Sequence, residues 1–387
     1  MGTLEELRLR RNQMLDDLRR CVEIETPSHD KARCDAFVPF FADLANRYGA
    51  EVERIANPAG GDHLLLRWGS GDAPLLFIGH YDTVWPAGTL ARKPFTVDER
   101  TGVARGPGIF DMKAGLVQAL WAARVVHRGD VRTPIVFIVN SDEEIGSPSS
   151  RGLIEQHARS ARAVFVFEPP HHGAVKTARK GVGMYTIEIE GRAAHAGLEP
   201  EKGVNAADEL ARVTLALHAL TDYERGTTVN VDVVSAGTAR NTIPAHAHAE
   251  IDVRVKTQRE AERVESAINA LRPHHPEAKL LVSGGLNRPP MERSAKIEAL
   301  YNRAAQIAKR LGFALDEVAV GGGSDGNFAA ALGASVLDGL GAVGDGGHAE
   351  HEHITIDALA ERTALVVELT ESLEREPTLV IPSGAAR

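Results

Sequence analysis

The sequence predicts an α/β chain interrupted by a smaller α+β unit, and three observations carry that expectation. Three unbroken apolar runs, Leu75-Leu76-Phe77-Ile78, Ile135-Val136-Phe137-Ile138-Val139 and Ala163-Val164-Phe165-Val166-Phe167, have the length of strands buried on both faces, as parallel strands are. From about residue 177 the pattern changes, and Met184-Tyr185-Thr186-Ile187-Glu188-Ile189-Glu190 alternates as a strand with one wet face does. At 387 residues the chain also exceeds the size at which a single core stops growing, so two domains are expected.

Taken in order, residues 4–22 carry apolar positions at helical spacing and stop at Glu25-Thr26-Pro27-Ser28. A second helix over 31–48 ends at Gly49, and residues 51–55 and 63–68 read as strands. The first apolar run leads directly into Gly79-His80-Tyr81-Asp82-Thr83, where His80 and Asp82 share a face of an extended backbone. The loop Arg105-Gly106-Pro107-Gly108-Ile109-Phe110-Asp111 enters a helix over 116–127, and Asp111, taken alone, reads as a helix cap. The second run ends in Asn140-Ser141-Asp142-Glu143-Glu144-Ile145-Gly146-Ser147, before a helix over 149–157, and the third ends in Glu168-Pro169-Pro170.

Polar residues therefore arrive at the carboxyl ends of three successive strands, where open α/β sheets place their ligands. One acidic turn is ordinarily just solvated surface. Repetition at three strand ends is not explained that way. Glu143 and Glu144 are adjacent and point in different directions, so one suits a metal and the other a proton.

The second unit, over 178–283, continues with a helix over 204–220, strands over 227–234 and 246–255, a helix over 261–271 and a closing strand at 280–282. Pro289-Pro290 marks the return to the first domain, which comprises 1–177 and 284–387. A helix over 294–311, the Gly321-Gly322-Gly323-Ser324-Asp325 loop, a strand near 335–337, His348 and a helix over 357–373 follow. The tail beyond Pro377 reads as loose.

A net charge of −9 argues against nucleic acid or an anionic membrane as partner, and leaves any anionic substrate to local cations. No stretch approaches a membrane span. The start is charged and helical in pattern, and Glu6 stands where a myristoylation motif needs Ser or Thr. Cys21 and Cys34 are the only cysteines and read as a reduced pair, so a cytoplasmic setting is expected.

These blocks, with Ala194-His195-Ala196-Gly197, Asn241-Thr242-Ile243-Pro244, Gly322-Gly323-Ser324-Asp325 and Gly347-His348, resemble one known family. It is the di-zinc metallopeptidase family of aminoacylase, acetylornithine deacetylase, succinyl-diaminopimelate desuccinylase and bacterial glutamate carboxypeptidase. The blocks occur in the family's order over nearly the whole chain. The resemblance implies a zinc-peptidase-like catalytic domain, with a mixed, largely parallel sheet flanked by helices. It also implies an inserted ferredoxin-like lid and dimerisation domain, a homodimer formed through it, and two Zn²⁺ per subunit, with Co²⁺ or Mn²⁺ as substitutes.

Carried over residue by residue, the resemblance gives the first zinc to His80, Asp111 and Glu168. Asp111 bridges to a second zinc held by Glu144 and His348. Glu143 becomes the general base, and Asp82 accepts the other ring N–H of His80. A cis peptide follows the bridging residue, here Asp111–Met112. His195 reaches across the dimer to the other subunit's site as an oxyanion donor, although alone it reads as a histidine in a surface turn. Asn241 and Arg288 resemble substrate contacts, with Lys176 and Arg179 as further candidates; Arg288 reads equally as a hinge ion pair. Gly323 and Ser324 belong to a loop whose N–H groups suit a carboxylate, or which simply turns tightly. His348 has the expected Glu352 four residues on, while His353 stands where the family shows an aromatic. His171 and His172 read as exposed.

The implied reaction is hydrolysis of an amide in a small N-acyl amino acid or dipeptide-like substrate with a free carboxylate, with domain closure at hinges near 177 and 284. The blocks are nearest to glutamate carboxypeptidase, which favours a C-terminal glutamate-like leaving group; an N-acyl-amino-acid deacylase is the alternative. Glu at 168 fits both, whereas aminopeptidase-like members carry Asp there. A non-catalytic protein on this scaffold would lack a ligand or the base, and none is missing. The glycine loops match no phosphate motif.

Overall fold

The computed structural model describes residues 2–129 and 133–376, so the tail from residue 377 lies outside the described residues. The chain divides into two compact units, Met1–Ala178 with Arg293–Ala319 and Ser324–Arg387, and Arg179–Glu292 with Val320–Gly323.

The first unit opens with helices Thr3–Leu9, Arg11–Val22 and Lys31–Arg47. The single helix expected over 4–22 is broken at Arg10 (φ −99°, ψ 6°), because apolar spacing persists across a break that only the backbone reveals. Strands β1 (Glu51–Ile55), β2 (His63–Trp68) and β3 (Leu75–His80) precede helix Ala114–Arg128, β4 (Ile135–Asn140), helix Arg151–Ala158 and β5 (Ala163–Val166). The second unit contains β6 (Gly181–Glu190), helix Ala206–His218, β7 (Thr228–Ala236), β8 (His246–Val255), helix Gln258–Asn269 and β9 (Lys279–Arg288). The first unit then resumes with helices Ala295–Leu311 and Gly326–Ala331, β10 (Val336–Leu337) and helix Ile356–Arg375.

The main sheet runs β1-β2-β4-β3-β5-β10. Its β4, β3, β5 and β10 are parallel, and β1 and β2 add antiparallel pairings at one side. Parallel strands must be covered on both faces, which explains their continuous apolar runs. Phe77 packs at its centre with ring centroids 5.6 Å from Phe165 and 5.0 Å from Phe167. Truncating so buried an aromatic ring to Ala costs about 3–5 kcal/mol. Register positions the site: His80 pairs with Asn140, and Ile78 with Val166, so the strand ends carrying His80, Glu143–Glu144 and Glu168 lie level.

Helix Ala114–Arg128 packs its first turn on the end of β5. A Cβ on Gly115 would lie 2.1 Å from the Phe167 carbonyl oxygen, so only glycine lets the Asp111 loop approach Glu168 this closely.

The second unit is a β-α-β-β-α-β fold with an antiparallel sheet in the order β7-β8-β6-β9, a ferredoxin-like arrangement. Its helices cover one face, where Ile187, Leu210, Val213, Ile251 and Val264 form a separate core. Its last strand corrects the boundary expected at 283/284. Gly284 and Gly285 lie beyond the strand expected at 280–282, yet they pair with Tyr185 and Met184 within β9, and the unit continues to Glu292. Gly284 has φ +93°, and a Cβ there would lie 2.1 Å from the Met184 carbonyl oxygen.

Candidate active site

His80 is buried at the end of β3 and held by its ring. Its Nδ1 lies 3.0 Å from the main-chain carbonyl of Asp82 and 3.4 Å from that residue's carboxylate. The nearer acceptor is thus the carbonyl rather than the carboxylate expected from the sequence. Either acceptor puts the proton on Nδ1 and turns a bare Nε2 the other way. The Asp82 carboxylate, fully buried, has another task. It accepts the backbone N–H groups of Glu143 and Glu144, each at 3.2 Å, and the Ser28 hydroxyl at 2.8 Å. It therefore clamps the Glu143–Glu144 turn onto the end of β3. Asp142 steadies the same turn by accepting from the backbone and hydroxyls of Ser149 and Ser150.

Two groups of donor atoms meet above this framework, His80 with Asp111 and Glu168, and Asp111 with Glu144 and His348. His80 Nε2 is 3.2 Å from Asp111 Oδ1 and 3.3 Å from Glu168 Oε1. His348 Nε2 is 3.3 Å from Asp111 Oδ2 and 3.1 Å from Glu144 Oε2. The two oxygens of Asp111 thus face different groups. Glu143 Oε2 stands 4.0 Å from His80 Nε2, beside the first group. The peptide Asp111–Met112 is cis. His351 and His353 belong to neither group, and His171 and His172 are exposed.

The donor set fits divalent metal ions. Tetrahedral bonds of about 2.0–2.1 Å separate their ligand atoms by about 3.3 Å, the spacing each histidine already keeps from its two carboxylates. His80 Nε2 and Asp111 Oδ1 are buried without a hydrogen bond, a costly arrangement that an ion would relieve. The electrostatics agree. Burial pulls the His80 imidazole down, but Asp111, Asp82 and Glu168 outweigh it and raise it well above its ordinary value. Hydrogen bonds to Asp111 and Glu144 push His348 up to about 11, and burial pushes Glu144 up to about 7. Asp111, despite burial, is held far below the carboxylate range by His348 and His80. The raised His80, His348 and Glu144 values describe a carboxylate-rich site that favours positive charge, and the lowered Asp111 value reflects the two histidines it faces.

In the second unit, His195 and Asn241 are exposed and brought together by main-chain pairing. His195 bridges Thr242, and Ala196 N–H donates to the Asn241 carbonyl at 2.9 Å. His195 Nδ1 accepts the N–H groups of Gly197 and Leu198, both at 3.1 Å, which leaves its proton on Nε2. Arg179 and Arg288 are both buried. Arg179 donates to the carbonyls of Gly322 and Gly323, both at 3.1 Å, so it braces the glycine loop. The Arg288 stem packs where a Cβ on Gly323 would stand, 2.7 Å away.

In the first unit, Ser324 is turned inward: fully buried, its hydroxyl donates to Asp338 at 2.6 Å, so it does not present that group to a substrate. Lys176 pairs its backbone with Asp338 and keeps a half-buried side chain.

Sequence reasoning gave Glu352 no role beyond its spacing, yet its carboxylate receives four N–H donors, from Trp85, Gly108, Phe110 and Asp111. It also overlooked a small sheet in which Gly344–Asp345, His353–Thr355, Val103–Arg105 and Thr96–Asp98 lie side by side. That sheet joins the His348 hairpin to the strand leading to Asp111.

Comparison with known proteins gives the chain its relatives. Carboxypeptidase G2 of Pseudomonas sp. (strain RS-16) is 32% identical over 93% of this chain and 89% of its own length. Acetylornithine deacetylase of Myxococcus xanthus is 29% identical over 58% of this chain and 62% of its own length. The solved structure of aminopeptidase PepT from Bacillus cereus shares the fold, with a TM-score of 0.75 at 22% identity, over 94% of this chain and 98% of that one. Residues 76–372, which include all five donor residues and Glu143, match Peptidase family M20/M25/M40, and the chain belongs to that family of metallopeptidases and amidohydrolases.

Proposed function

We propose that the protein hydrolyses an amide bond in a small substrate bearing a free carboxylate, releasing a C-terminal glutamate-like amino acid. The observation that carries this reading is the pair of donor groups sharing Asp111, with Glu143 beside His80 of the first. His80, Asp111 and Glu168 would hold one Zn²⁺, and Asp111, Glu144 and His348 a second, with Co²⁺ or Mn²⁺ able to substitute. When bound, such ions acidify a shared water and polarise the scissile carbonyl. Glu143 takes the proton from the attacking water and returns it to the leaving amine. Its backbone is pinned by Asp82, so the carboxylate keeps its place while the proton moves.

His195 carries its proton on Nε2, as a donor to a developing oxyanion must. Asn241, Arg288 and the N–H groups of the loop at Gly323 are assigned to the substrate, with Lys176 as a further cation. Arg179 is assigned to bracing that loop, and the Ser324 hydroxyl is left out. The second unit acts as a lid and joins two copies into a dimer. Its edge strand β7 leaves Val233 and Val234 exposed, which supports a neighbour along it. Free, buried Cys21 and Cys34, their thiols pushed up to about 12 by burial, suit a reducing compartment such as the cytoplasm.

The 32% identity to carboxypeptidase G2 supports carboxypeptidase-type release of a C-terminal amino acid, and the deacetylase relative supports a second reading, removal of an acyl group from an N-acyl amino acid. Metal-loaded protein should be assayed against N-acyl-glutamates, dipeptides with varied C-terminal residues, N-acetylornithine and succinyl-diaminopimelate. Turnover of acyl-glutamates above the others is expected. Preference for N-acetylornithine or succinyl-diaminopimelate selects the second reading, and hydrolysis of none of them sinks both.

A further inference from the structure

Three loops around the donor groups of the first unit converge on one side chain that plays no part in the proposed chemistry. Glu352 is buried, with 4% of its surface exposed. One carboxylate oxygen accepts from Phe110 N–H at 2.9 Å and Asp111 N–H at 3.1 Å. The other accepts from Gly108 N–H at 2.9 Å and from the Trp85 indole at 2.7 Å. Trp85 belongs to the loop that follows His80 and Asp82. Gly108, Phe110 and Asp111 form the loop of the bridging carboxylate. Glu352 itself lies four residues beyond His348 on the third.

All four partners are donors, so only an ionised carboxylate can satisfy them together; an amide of the same size would turn its own NH₂ against two of them. The His348 hairpin needs such a fastening. His348 has φ +64°, in the left-handed region that residues with a side chain rarely adopt, and half of its side chain is exposed. Packing does not fix that imidazole, so its backbone must. The short pairing of His353–Thr355 with Val103–Arg105 sets the hairpin beside the Asp111 strand, and Glu352 locks the remaining freedom.

We propose that Glu352 is a positioning residue, a clasp that registers the His348 hairpin against the Asp111 loop and so fixes the spacing of the second donor group before an ion arrives. The inference rests on the reading that Asp111, Glu144 and His348 hold a metal ion.

The test uses the full chain, loaded with Zn²⁺ and titrated against a chromophoric chelator, and separately loaded with Co²⁺ for its visible absorption. Outer partners of metal ligands typically govern about 10–100-fold in affinity. Glu352→Gln should weaken the more loosely held zinc by that factor, change the cobalt spectrum, and lower kcat more than it raises KM. Trp85→Phe removes one donor of four and should shift zinc affinity in the same direction by less, with thermal unfolding unchanged. A folded Glu352→Gln protein with wild-type zinc affinity and cobalt spectrum overturns the clasp, even if its thermal stability falls. Where Glu352→Gln does not fold, unaltered zinc affinity in Trp85→Phe overturns it. If the wild-type chain takes up neither zinc nor cobalt, the ligand reading fails and this inference fails with it.

Discussion

The two units hold their candidate catalytic histidines in different surroundings. In the first, His80, Asp82, Asp142 and Glu352 are all at most 4% exposed, and the three carboxylates each receive at least three hydrogen bonds. In the second, His195 and Asn241 stand exposed on loops, oriented by a few main-chain bonds. The difference follows from what each must meet. Groups that hold an ion gain from having their spacing fixed beforehand, since mutual repulsion among carboxylates would otherwise spread them apart. Groups that meet a substrate need an open side, and rigid main-chain pairing can aim them without burying them.

The sharpest way to break that contrast is to remove one function from each unit. Glu143→Ala should lower kcat by about 10²–10⁴-fold, the range of general acid–base catalysis, with metal content unchanged by elemental analysis. Wild-type activity in that variant would remove Glu143 from the mechanism. His195→Ala should lower kcat by about 10²–10³-fold, again with full metal occupancy, as loss of one oxyanion donor does. If it lost metal instead, the division of labour between the units would be wrong.

Chelation should separate the units in stability as well. An ion bound at 100–1,000 times its Kd stabilises its folded host by about 2.7–4.1 kcal/mol, and both donor groups lie in the first unit. Hydrogen exchange after chelation should rise in the Leu75–His80 and Ile135–Asn140 strands and stay constant in Gly181–Glu190 and His246–Val255. Equal loss of protection in both would show that the second unit depends on the ions.

The same contrast explains what the sequence revealed. Buried parallel strands write themselves as unbroken apolar runs, so the ends bearing His80, Glu143–Glu144 and Glu168 could be placed from sequence, and the register levels them. The clasp could not be seen that way. The bond from Phe110 N–H to Glu352 joins residues 242 positions apart through a main-chain donor, which has no side-chain signature. Strands of two or three residues, such as Gly344–Asp345 and His353–Thr355, are too short to show a period. Nor could residue type alone show that Asp82 turns its carboxylate to the Glu143–Glu144 backbone, or that Ser324 faces inward. In the second unit alternation marked the strands well, but β9 runs past the end expected at 282 through Gly284 and Gly285, which have no side chains to show a period.

The smallest expected effect concerns a place where the second unit, too, buries a carboxylate in a network. Glu260, on the first turn of helix Gln258–Asn269, accepts from Arg263 at 2.7 Å, Thr227 at 2.8 Å and Arg225 at 3.2 Å. These bonds tie the helix to the turn before β7 and hold the carboxyl down at about 2, from 4.5. A depressed folded value means that the ionised network stabilises the unit fully above pH 4.5. That stability is lost as the pH falls through about 2, because the folded form must then take up a proton it resists. Arg225 is largely exposed and solvent screens part of the attraction, so the expected contribution is on the order of 1 kcal/mol. Denaturant unfolding followed in the second unit should therefore weaken between pH 4.5 and 2, and Glu260→Gln should flatten that dependence while lowering stability at pH 7. An unchanged slope in the variant would assign the acid sensitivity to other carboxylates and leave Glu260 as a hydrogen-bond acceptor whose charge adds nothing; a flattened one would show that this unit, too, fixes a buried charge by saturating it with donors.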